Sequence, residues 1–507
     1  MERKWWTLIV VCTAIFMLLL DITIVNVALP DIQAELGADF NEVQWVIDAY
    51  ALTLAAAVLN AGSLADRLGR RRVFVAGLLL FSGASLVAGF ATSALFLILA
   101  RAAQGVGGAV MFATSLALLA QEFRGRERGT AFGIWGAVTG SAVAIGPLAG
   151  GALTLAGWRW IFFVNVPIGV AAVAVTLRRV RDERGPHRRI DWLGAGLLSA
   201  ALFLLVFGLL RGTDAGWTSA TIIGALLGAC AALAAFVAVE LRRADPMLDV
   251  RLFRIPAFAG AQIAAFSISA AVFSLFLYLT LWLQNVLGYT PLEAGIRFLP
   301  LSGAAFVVAP IAGRLSSHVP ARLLIGGGLA IGGVGAILLH GLDRDSGWLA
   351  LLPGFVVAGV GVGLINPPLA SAAIGVLGDD EAGTGSGVNN TFRQVGIATG
   401  IAAYGAIFQH VLERRVADAL VGTPAAGRAG ALANVLVAGQ IRQVERLAPP
   451  DVRARVPSLA RDAFASGLNV LFLVSAGIAF AGAVACVVLL RARDLRPGEA
   501  QEAEPAA

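Results

Sequence analysis

Lysine, cysteine and histidine are scarce in this chain of 507 residues. Lysine occurs once, as Lys4, and there are three cysteines and four histidines. The cysteines, Cys12, Cys230 and Cys486, each lie inside an apolar run, so their spacing predicts no disulfide framework. The histidines are dispersed along the chain, and the sequence therefore predicts no bound metal.

Charged side chains are also few. They make up 14% of the chain, whereas 58% of the residues are hydrophobic. A soluble protein carries about a quarter of its residues as charged ones, so the composition predicts a polytopic membrane protein surrounded by lipid bilayer. The net charge of +6 comes from arginines in short loops, which is a topology signal and not a sign of nucleic-acid binding. No phosphate loop is present, so neither ATP nor another cofactor is expected.

Apolar runs of about 20 residues, the length that crosses a bilayer as a helix, occur roughly fourteen times. The first of them has no convincing cleavage site and is interpreted as a spanning helix. An even number places both termini on one side, and the arginine-rich loops after every second span place that side in the cytoplasm. The predicted spans are Thr7–Pro30, Gln44–Leu64, Val73–Ala91, Leu95–Ala120, Gly129–Ala156, Phe162–Val180, Trp192–Arg211, Thr218–Glu240, Ala257–Leu287, Leu292–Leu315, Leu323–Leu342, Trp348–Val376, Gly385–Gln409 and Phe464–Leu490.

The predicted architecture is all-α, with two six-helix bundles and two inserted helices between them. The inserted helices carry few polar residues other than small ones, so they are not expected to line a pathway. A long outer loop is expected to contain amphipathic helix, and the C-terminal tail is expected to be disordered. The predicted units are the first bundle at 1–190, the inserted pair at 191–243, five helices of the second bundle at 244–410, the loop at 411–462, the last helix at 463–493 and the tail at 494–507.

The most specific motif is GSLADRLGRRR, from Gly62 to Arg72, between the second and third spans. Gly62 permits a close helix approach and Gly69 permits a tight turn. Asp66 is a lone acid among arginines, placed to pair with them or to face a helix N-terminus. The simpler alternative is a basic clamp that only fixes topology. The motif residues suited to these contacts are Gly62, Asp66, Arg67, Gly69, Arg70 and Arg71.

Asp21 is the strongest candidate for chemistry, because it lies inside the first span in LLLDITIVNVALP. A charged acid near the middle of a bilayer costs about 2.5–3.5 kcal/mol on insertion scales. It must therefore face water, meet a cation or stay protonated, and Arg101 in the fourth span is the obvious partner. Asp21 and Arg101 are predicted to couple transport to protons. A structural hydrogen bond or a fixed ion pair is the alternative.

A second acid, Asp48, lies about one turn into the second span from its outer end. It is predicted to take part in proton coupling, with a solvated interfacial acid as the alternative. The polar residues assigned to a substrate cavity are Asn26, Gln104, Gln284 and Asn390. The thirteenth span carries no acid.

Several of these motifs resemble signatures of the major facilitator superfamily. The segment Gly62–Arg72 resembles its helix 2–3 loop, which latches the two halves of those transporters, and the pattern that begins at Arg101 resembles its helix 4 signature. Leu20–Pro30 resembles the first helix of the drug:proton antiporter branch, and Gly140–Gly151 resembles the fifth-helix antiporter signature found in exporters. Segments up to about Gly400 resemble the fourteen-helix branch. The antiporter-motif residues are Gly140, Gly146, Pro147, Gly150 and Gly151, for which ordinary membrane packing is the alternative.

The resemblance implies a proton-coupled antiporter of the cell membrane that exports lipophilic drugs or antibiotics by alternating access. Relatives with an acid at the position of Asp48 include exporters of lipophilic cations, so a cationic substrate is a candidate. The alternative is an exporter of a single endogenous metabolite, amino acid or siderophore. An enzyme is not expected, because no clustered histidines, cysteines or paired acids are apparent. The expected partners are lipid, protons and a small lipophilic substrate, without nucleic acid, and a monomer is expected.

Overall fold

The computed structural model describes residues 2–38, 40–181, 191–243, 245–316, 318–377, 381–420 and 456–490. In this part of the chain we number fourteen long helices. They are α1 (Arg3–Leu36), α2 (Phe40–Leu68), α3 (Arg70–Gly89), α4 (Ala94–Glu122), α5 (Gly125–Thr154), α6 (Trp160–Arg179), α7 (Trp192–Ala215), α8 (Ala220–Glu240), α9 (Pro256–Val286), α10 (Pro291–Leu315), α11 (Ala321–Leu339), α12 (Leu352–Gly375), α13 (Ala382–Leu420) and α14 (Val456–Leu489).

Thirteen of these helices are long and apolar enough to cross a membrane. The remaining helix, α5, is continuous over 30 residues, but some of its side chains lie outside the described part. The chain is therefore an all-α polytopic membrane protein, as predicted, and each predicted span coincides with one helix. Residues 411–420 continue α13 and residues 456–462 begin α14, so the predicted loop is shorter at both ends. The predictions for residues 421–455 and for the tail concern residues outside the described part of the chain.

The helices form two groups. Within α1–α6, which we call the N-terminal half, α1 packs on α4, α5 and α6, while α4 also packs on α2 and α3. Within α9–α14, the C-terminal half, α12 packs on α10 and α11, and α13 packs on α9 and α14. The halves meet where α5 contacts α10 and α12, and where α13 contacts α2 and α4.

Helix α9 departs from regular α-helix twice. Ser269–Phe273 and Trp282–Val286 are π-helical turns, a form that usually appears as a single turn inside an α-helix. The Ser274 hydroxyl lies within hydrogen-bond distance of two carbonyl oxygens, that of Ser269 at 3.2 Å and that of Ile397 on α13 at 3.1 Å. The first irregular turn is thus fixed to the neighbouring helix.

The inserted helices α7 and α8 pack on each other, and α7 also packs on α2 and α13. The contact with α2 is partly polar. Asn60 donates to the carbonyl of Ala195 at 2.9 Å and to Ser199 Oγ at 2.6 Å, and Ser199 donates to the carbonyl of Ala56 at 2.8 Å. The inserted pair is therefore attached to the N-terminal half by hydrogen bonds as well as by apolar packing.

Candidate functional site

Asp21 lies at the centre of a buried polar network inside the N-terminal half. Its carboxylate pairs with Arg101 of α4 and accepts hydrogen bonds from Gln104 Nε2 at 2.8 Å and Asn165 Nδ2 at 3.1 Å. All four side chains are at most 1% exposed. The structure thus brings together Asp21 and Arg101, the pair expected from the sequence, and Asp21 faces the interior of the half instead of lipid.

The guanidinium of Arg101 is held from several sides. Its Nε donates to the carbonyl of Val46 at 3.2 Å, its Nη1 donates to Gln104 Oε1 at 2.7 Å, and it lies 4.2 Å from the centre of the Tyr50 ring. A buried ion pair offsets its desolvation only when further hydrogen bonds complete it, and a ring face adds a favourable contact for the cation. This pair therefore has the surroundings that a stable buried charge requires.

The sequence did not predict two members of this network, Asn165 and Ser85. Asn165 lies in α6 and Ser85 in α3, and the Ser85 hydroxyl accepts from Asn165 at 3.1 Å and from Gln104 at 3.3 Å. Ser85 in turn donates to the carbonyl of Phe162 at 2.9 Å. Asn165 is the one amide in the apolar run WRWIFFVNVPIG. This isolation could have indicated a polar contact, because a buried amide must find hydrogen-bond partners.

Asp48 does not join this network. Arg211 of α7 places its Nη1 3.9 Å from Asp48 Oδ2, donates to Gln44 Oε1 at 2.7 Å, and lies 4.9 Å from the centre of the Trp45 ring. Tyr50 contacts Arg101, and residues two apart point to opposite sides of a helix, so Asp48 faces away from the Asp21 pair. The second predicted acid is therefore a buried partner of the inserted helices.

Of the four residues assigned to a substrate cavity, the three whose side chains are described are not gathered in one place. Gln104 belongs to the Asp21 network. Asn390, eight residues into α13, donates to the carbonyl of Phe112 on α4 at 3.4 Å, whereas Gln284 lies two residues before the end of α9. Because α9 and α13 run in the same direction at about 1.5 Å per residue, Gln284 and Asn390 are separated by most of the membrane thickness. The side chain of Asn26 lies outside the described residues.

Asp66 connects the two halves. It accepts hydrogen bonds from the backbone N–H groups of Gly383 at 2.9 Å and Thr384 at 2.7 Å, in the first turn of α13, and from Arg70 Nη2 at 3.0 Å. The free N–H groups and the dipole of a helix N-terminus favour a carboxylate there. Asp66 thus makes both of the contacts considered from the sequence, to an arginine and to a helix N-terminus.

The two glycines of the motif meet different needs. A Cβ atom at Gly62 would lie 2.2 Å from the carbonyl oxygen of Gly383, closer than any side chain can approach. Gly69 has φ of +103°, a conformation that L-residues with side chains rarely adopt. Gly62 therefore permits the contact between α2 and α13, and Gly69 permits the turn into α3.

The arginines of the motif bind backbone carbonyls at the same end of the bundle. Arg67 donates to Pro246, which follows α8, at 3.2 Å, and Arg71 donates to Val180, which follows α6, at 3.3 Å. We call this end, defined by residues 67–72 and the helix ends around them, the arginine-rich face.

The glycines of the antiporter motif pack α5 against α1. A Cβ atom at Gly146 would lie 1.7 Å from Thr23 Oγ1, and one at Gly150 would lie 3.0 Å from a side chain of α1, whereas Gly151 has open space. Thr23 is two residues from Asp21, so this packing fixes the helix that carries the acid. The predictions for Gly140 and Pro147 are not tested, because the surroundings of these two residues lie outside the described part.

Comparison with known proteins adds three findings. The family model of the Major Facilitator Superfamily matches residues 11–192 and 192–401. The chain is 37% identical over 404 residues to the multidrug resistance protein Stp of Mycobacterium tuberculosis, covering 79% of this chain and 75% of that protein. It is 33% identical over 510 aligned residues to the tetracenomycin C resistance and export protein of Streptomyces glaucescens, covering 98% of this chain and 93% of that protein.

Among solved structures, the chain is similar to the human organic anion transporter MFSD10. The TM-score is 0.62 at 14% identity, and the match covers 96% of this chain and 100% of that one. At this identity the likeness shows a common fold and nothing further.

Proposed function

Since the chain belongs to the major facilitator superfamily and is a membrane transporter, we propose that it is a proton-coupled antiporter that exports lipophilic drugs or antibiotics. The relatives named for multidrug resistance and for tetracenomycin C resistance and export support export and the class of cargo. The observation that carries proton coupling is the burial of Asp21 against Arg101 inside the N-terminal half.

The Asp21 network provides two states that differ by one proton. In the ionised state the carboxylate pairs with Arg101 and accepts a hydrogen bond from Gln104, both on α4, and accepts another from Asn165 on α6. A proton from outside neutralises Asp21 and removes the counter-ion of Arg101, which loosens α1 from α4. Return of the ion pair releases the proton to the other side. Because the two states favour different helix arrangements, the proton biases the equilibrium between conformations.

We place the arginine-rich face in the cytoplasm, because short arginine-rich loops stay on that side. Both termini then lie in the cytoplasm, since α1 begins and α14 ends at this face, and the membrane is the cell membrane. Asp66 holds the N-terminus of α13 there, and a Cβ atom at Gly129 of α5 would lie 2.2 Å from the carbonyl of Gly313 of α10. These contacts support a conformation closed toward the cytoplasm.

The proposal rests on Asp21 alone among the acids. Asp48 already has Arg211 near it and Gln44 shares the same guanidinium. An arginine partner does not exclude proton coupling, since Asp21 has one as well, but Asp48 lies outside the network that joins α1, α4 and α6, and its part in coupling stays a prediction.

The test is Asp21→Asn in proteoliposomes with an imposed pH gradient and a panel of lipophilic dyes and antibiotics. The amide keeps the size of the side chain but cannot bind and release a proton. We expect proton-driven efflux and substrate-induced proton release to fall by more than tenfold, or about 1.4 kcal/mol, in folded protein. Asp345→Asn, at an acid whose side chain is 83% exposed, is the matched control. Full proton-coupled efflux by Asp21→Asn would remove Asp21 from the mechanism.

The breadth of the cargo is tested separately in a host without its own pumps. Resistance to several unrelated compounds supports drug export, whereas efflux of one compound only supports the alternative of a dedicated metabolite exporter.

A further inference from the structure

Arg393 on α13 is a buried cation whose described neighbours are neutral. The side chain is 7% exposed. Its Nη2 donates to Asn366 Oδ1 at 2.9 Å and its Nε donates to Asn389 Oδ1 at 3.4 Å. Both acceptors are amide oxygens, and no described carboxylate lies within ion-pair distance of the guanidinium.

Two other arginines inside the membrane-spanning helices have the carboxylate partner that Arg393 lacks among the described residues. Arg101 has Asp21 against its guanidinium, and Arg211 has Asp48 within 3.9 Å. A guanidinium in the membrane region normally pairs with an acid or lines a pathway. Arg393 is the one of these three that has no acid opposite it.

The sequences of the helices around Arg393 explain why no described carboxylate faces it. Helices α9 and α12, which pack near it, contain no Asp, Glu, Lys or Arg, and α13 has no acid between Ala382 and Leu412. The acid that α2 presents to α13 is Asp66, which is bound at the first turn of α13. The charge of Arg393 is therefore left without a counter-ion from α9, α12 or the part of α13 around it.

The hydrogen-bonding groups around Arg393 leave donors unused. Asn389 Nδ2 donates to Gln262 Oε1 of α9 at 3.3 Å, so the amide oxygens of Asn366, Asn389 and Gln262 all accept within the cluster. Gln262 is 1% exposed and its Nε2 has no hydrogen-bond partner among the described residues. Nη1 of Arg393 likewise donates to none of the described acceptors. A carboxylate, which only accepts, matches such a set of donors.

The cluster lies where the two halves meet. A Cβ atom at Gly136 of α5 would lie 3.2 Å from Asn366 Cβ, and Asn390, three residues before Arg393, donates to the carbonyl of Phe112 on α4. Carriers built from two related halves bind cargo between those halves. A group bound to Arg393 would therefore lie on the transport route.

We propose that Arg393 binds an ionised acidic group of the cargo, with Gln262 as a second donor. The inference rests on the proposed export function and names its substrate class: lipophilic acids and zwitterions that carry a carboxylate or an equivalent anion. A membrane protein that keeps an unpaired buried cation does so at a cost in stability, and a bound anion removes that cost.

The binding test uses two dyes that differ only in a carboxylate, tetramethylrhodamine and its methyl ester, with the full chain purified in detergent. Fluorescence anisotropy gives the dissociation constants. We expect the wild type to bind the carboxylate dye at least tenfold more tightly than the ester. Arg393→Gln should weaken binding of the carboxylate dye alone and bring the ratio close to one, and Arg393→Lys should retain part of the preference. A wild type without the preference, or equal weakening of both dyes, overturns the proposal.

A second measurement needs no dye. Without cargo, Arg393→Gln should melt at a higher temperature than the wild type, because the unpaired charge is gone and an amide remains beside Asn366. Arg101→Gln is the matched variant and should melt at a lower temperature, because it leaves Asp21 without its cation. A lower melting temperature for Arg393→Gln would assign the residue a structural role. If the dye preference is absent while drug efflux still depends on the proton gradient, this inference fails and the proposed function stands.

Discussion

The hydrogen bonds around Asp21 support its ion pair with Arg101. Arg101 supplies the charge, while Gln104 and Asn165 supply two donors to the same oxygen. A hydrogen bond to a charged group contributes about 1.5–3 kcal/mol, which corresponds to a factor of about ten or more in the stability of the ion-paired state. The neutral members of the network therefore help to hold the ion pair on which the proposed proton coupling depends.

Replacing Asn165 by alanine should destabilise the N-terminal half. The amide donates to the carboxylate of Asp21 and to Ser85 Oγ, and loss of a hydrogen bond to a charged group costs about 1.5–3 kcal/mol. We expect a lower melting temperature for the protein purified in detergent. Thr176→Val removes a buried hydroxyl of the same helix that bonds only the carbonyl of Ala172, and should melt close to the wild type. An unchanged melting temperature in Asn165→Ala would contradict this account.

The sequence was sufficient to predict the pairing of Asp21 with Arg101 but not the neutral residues that hydrogen-bond to this pair. Asp21 and Arg101 could be matched because charges in lipid must find partners. Asn165 and Ser85 are neutral, and the sequence does not say toward which helix a neutral side chain points. The sequence also did not give the relative depth of the cavity candidates, because Gln284 lies near one end of α9 whereas Asn390 lies in the third turn of α13.

At the scale of helices, α7 is bound to α2 at two levels. Asn60 and Ser199 bond near one level, and Arg211 reaches Asp48 and Gln44 near the other. The described contacts of α7 with α13 are apolar, with Val206 and Ala398 in one cluster. The inserted pair is thus expected to move with the N-terminal half. The sequence predicted only that the inserted helices do not line a pathway, and the few polar groups they carry are sufficient to attach α7 to α2.

The ion pair between α2 and α7 can be tested by rescue. Asp48→Asn removes the carboxylate opposite Arg211, and leaving one charge of a buried pair alone costs about 3–5 kcal/mol. At a separation of 3.9 Å we expect the lower end of that range, seen as a lower melting temperature and lower yield. Asp48→Asn combined with Arg211→Gln should recover most of the loss, because neither charge remains.

The same pair of variants separates structure from cargo recognition. If Asp48 recognises cationic cargo, efflux of ethidium will stay low in the double variant although stability returns. Recovery of ethidium efflux together with stability supports the positioning role, and independent, additive losses of stability would exclude the pairing.

Hydropathy was sufficient to predict that a helix exists but not to predict the residue at which it ends. The apolar runs predicted every long helix, because lipid requires the backbone to satisfy its own hydrogen bonds. Helix α1 nevertheless continues to Leu36 and α13 to Leu420, since a helix does not end where its apolar run ends. The π-helical turns of α9 were not predictable, because one of them depends on contact with Ile397 of a distant helix.

For the whole molecule, the contacts at the arginine-rich face are concentrated in a few backbone approaches. Gly62 meets Gly383 and Gly129 meets Gly313 without side chains between them. The carboxylate of Asp66 adds hydrogen bonds to the N-terminus of α13. Packed helices of this kind switch between discrete arrangements, so we expect Asp66 to contribute to the stability of the proposed closed conformation.

Asp66→Asn should shift the protein toward a conformation that is open at the arginine-rich face. The amide cannot accept from two N–H groups and an arginine as the carboxylate does, and loss of about 1–2 kcal/mol changes the ratio of two states by about 5–30-fold. Spin labels at Leu68 of α2 and Leu315 of α10, which are 46% and 38% exposed, report the distance between the halves. We expect a longer distance to gain population in the variant.

The matched control is Glu35→Gln. Glu35 pairs with Arg159 and accepts from Trp158 Nε1 at 2.7 Å, all within the N-terminal half. Hydrogen bonds from Arg159 and Trp158 hold the pKa of Glu35 below its ordinary value, so it is ionised at neutral pH like a latch carboxylate, but it does not join the halves. Any contribution of Glu35 to stability is present above the ordinary pKa and declines as the pH falls through the lowered one. The label distance should therefore be unchanged in Glu35→Gln at neutral pH, and equal distances in all three proteins would show that Asp66 does not hold the face closed.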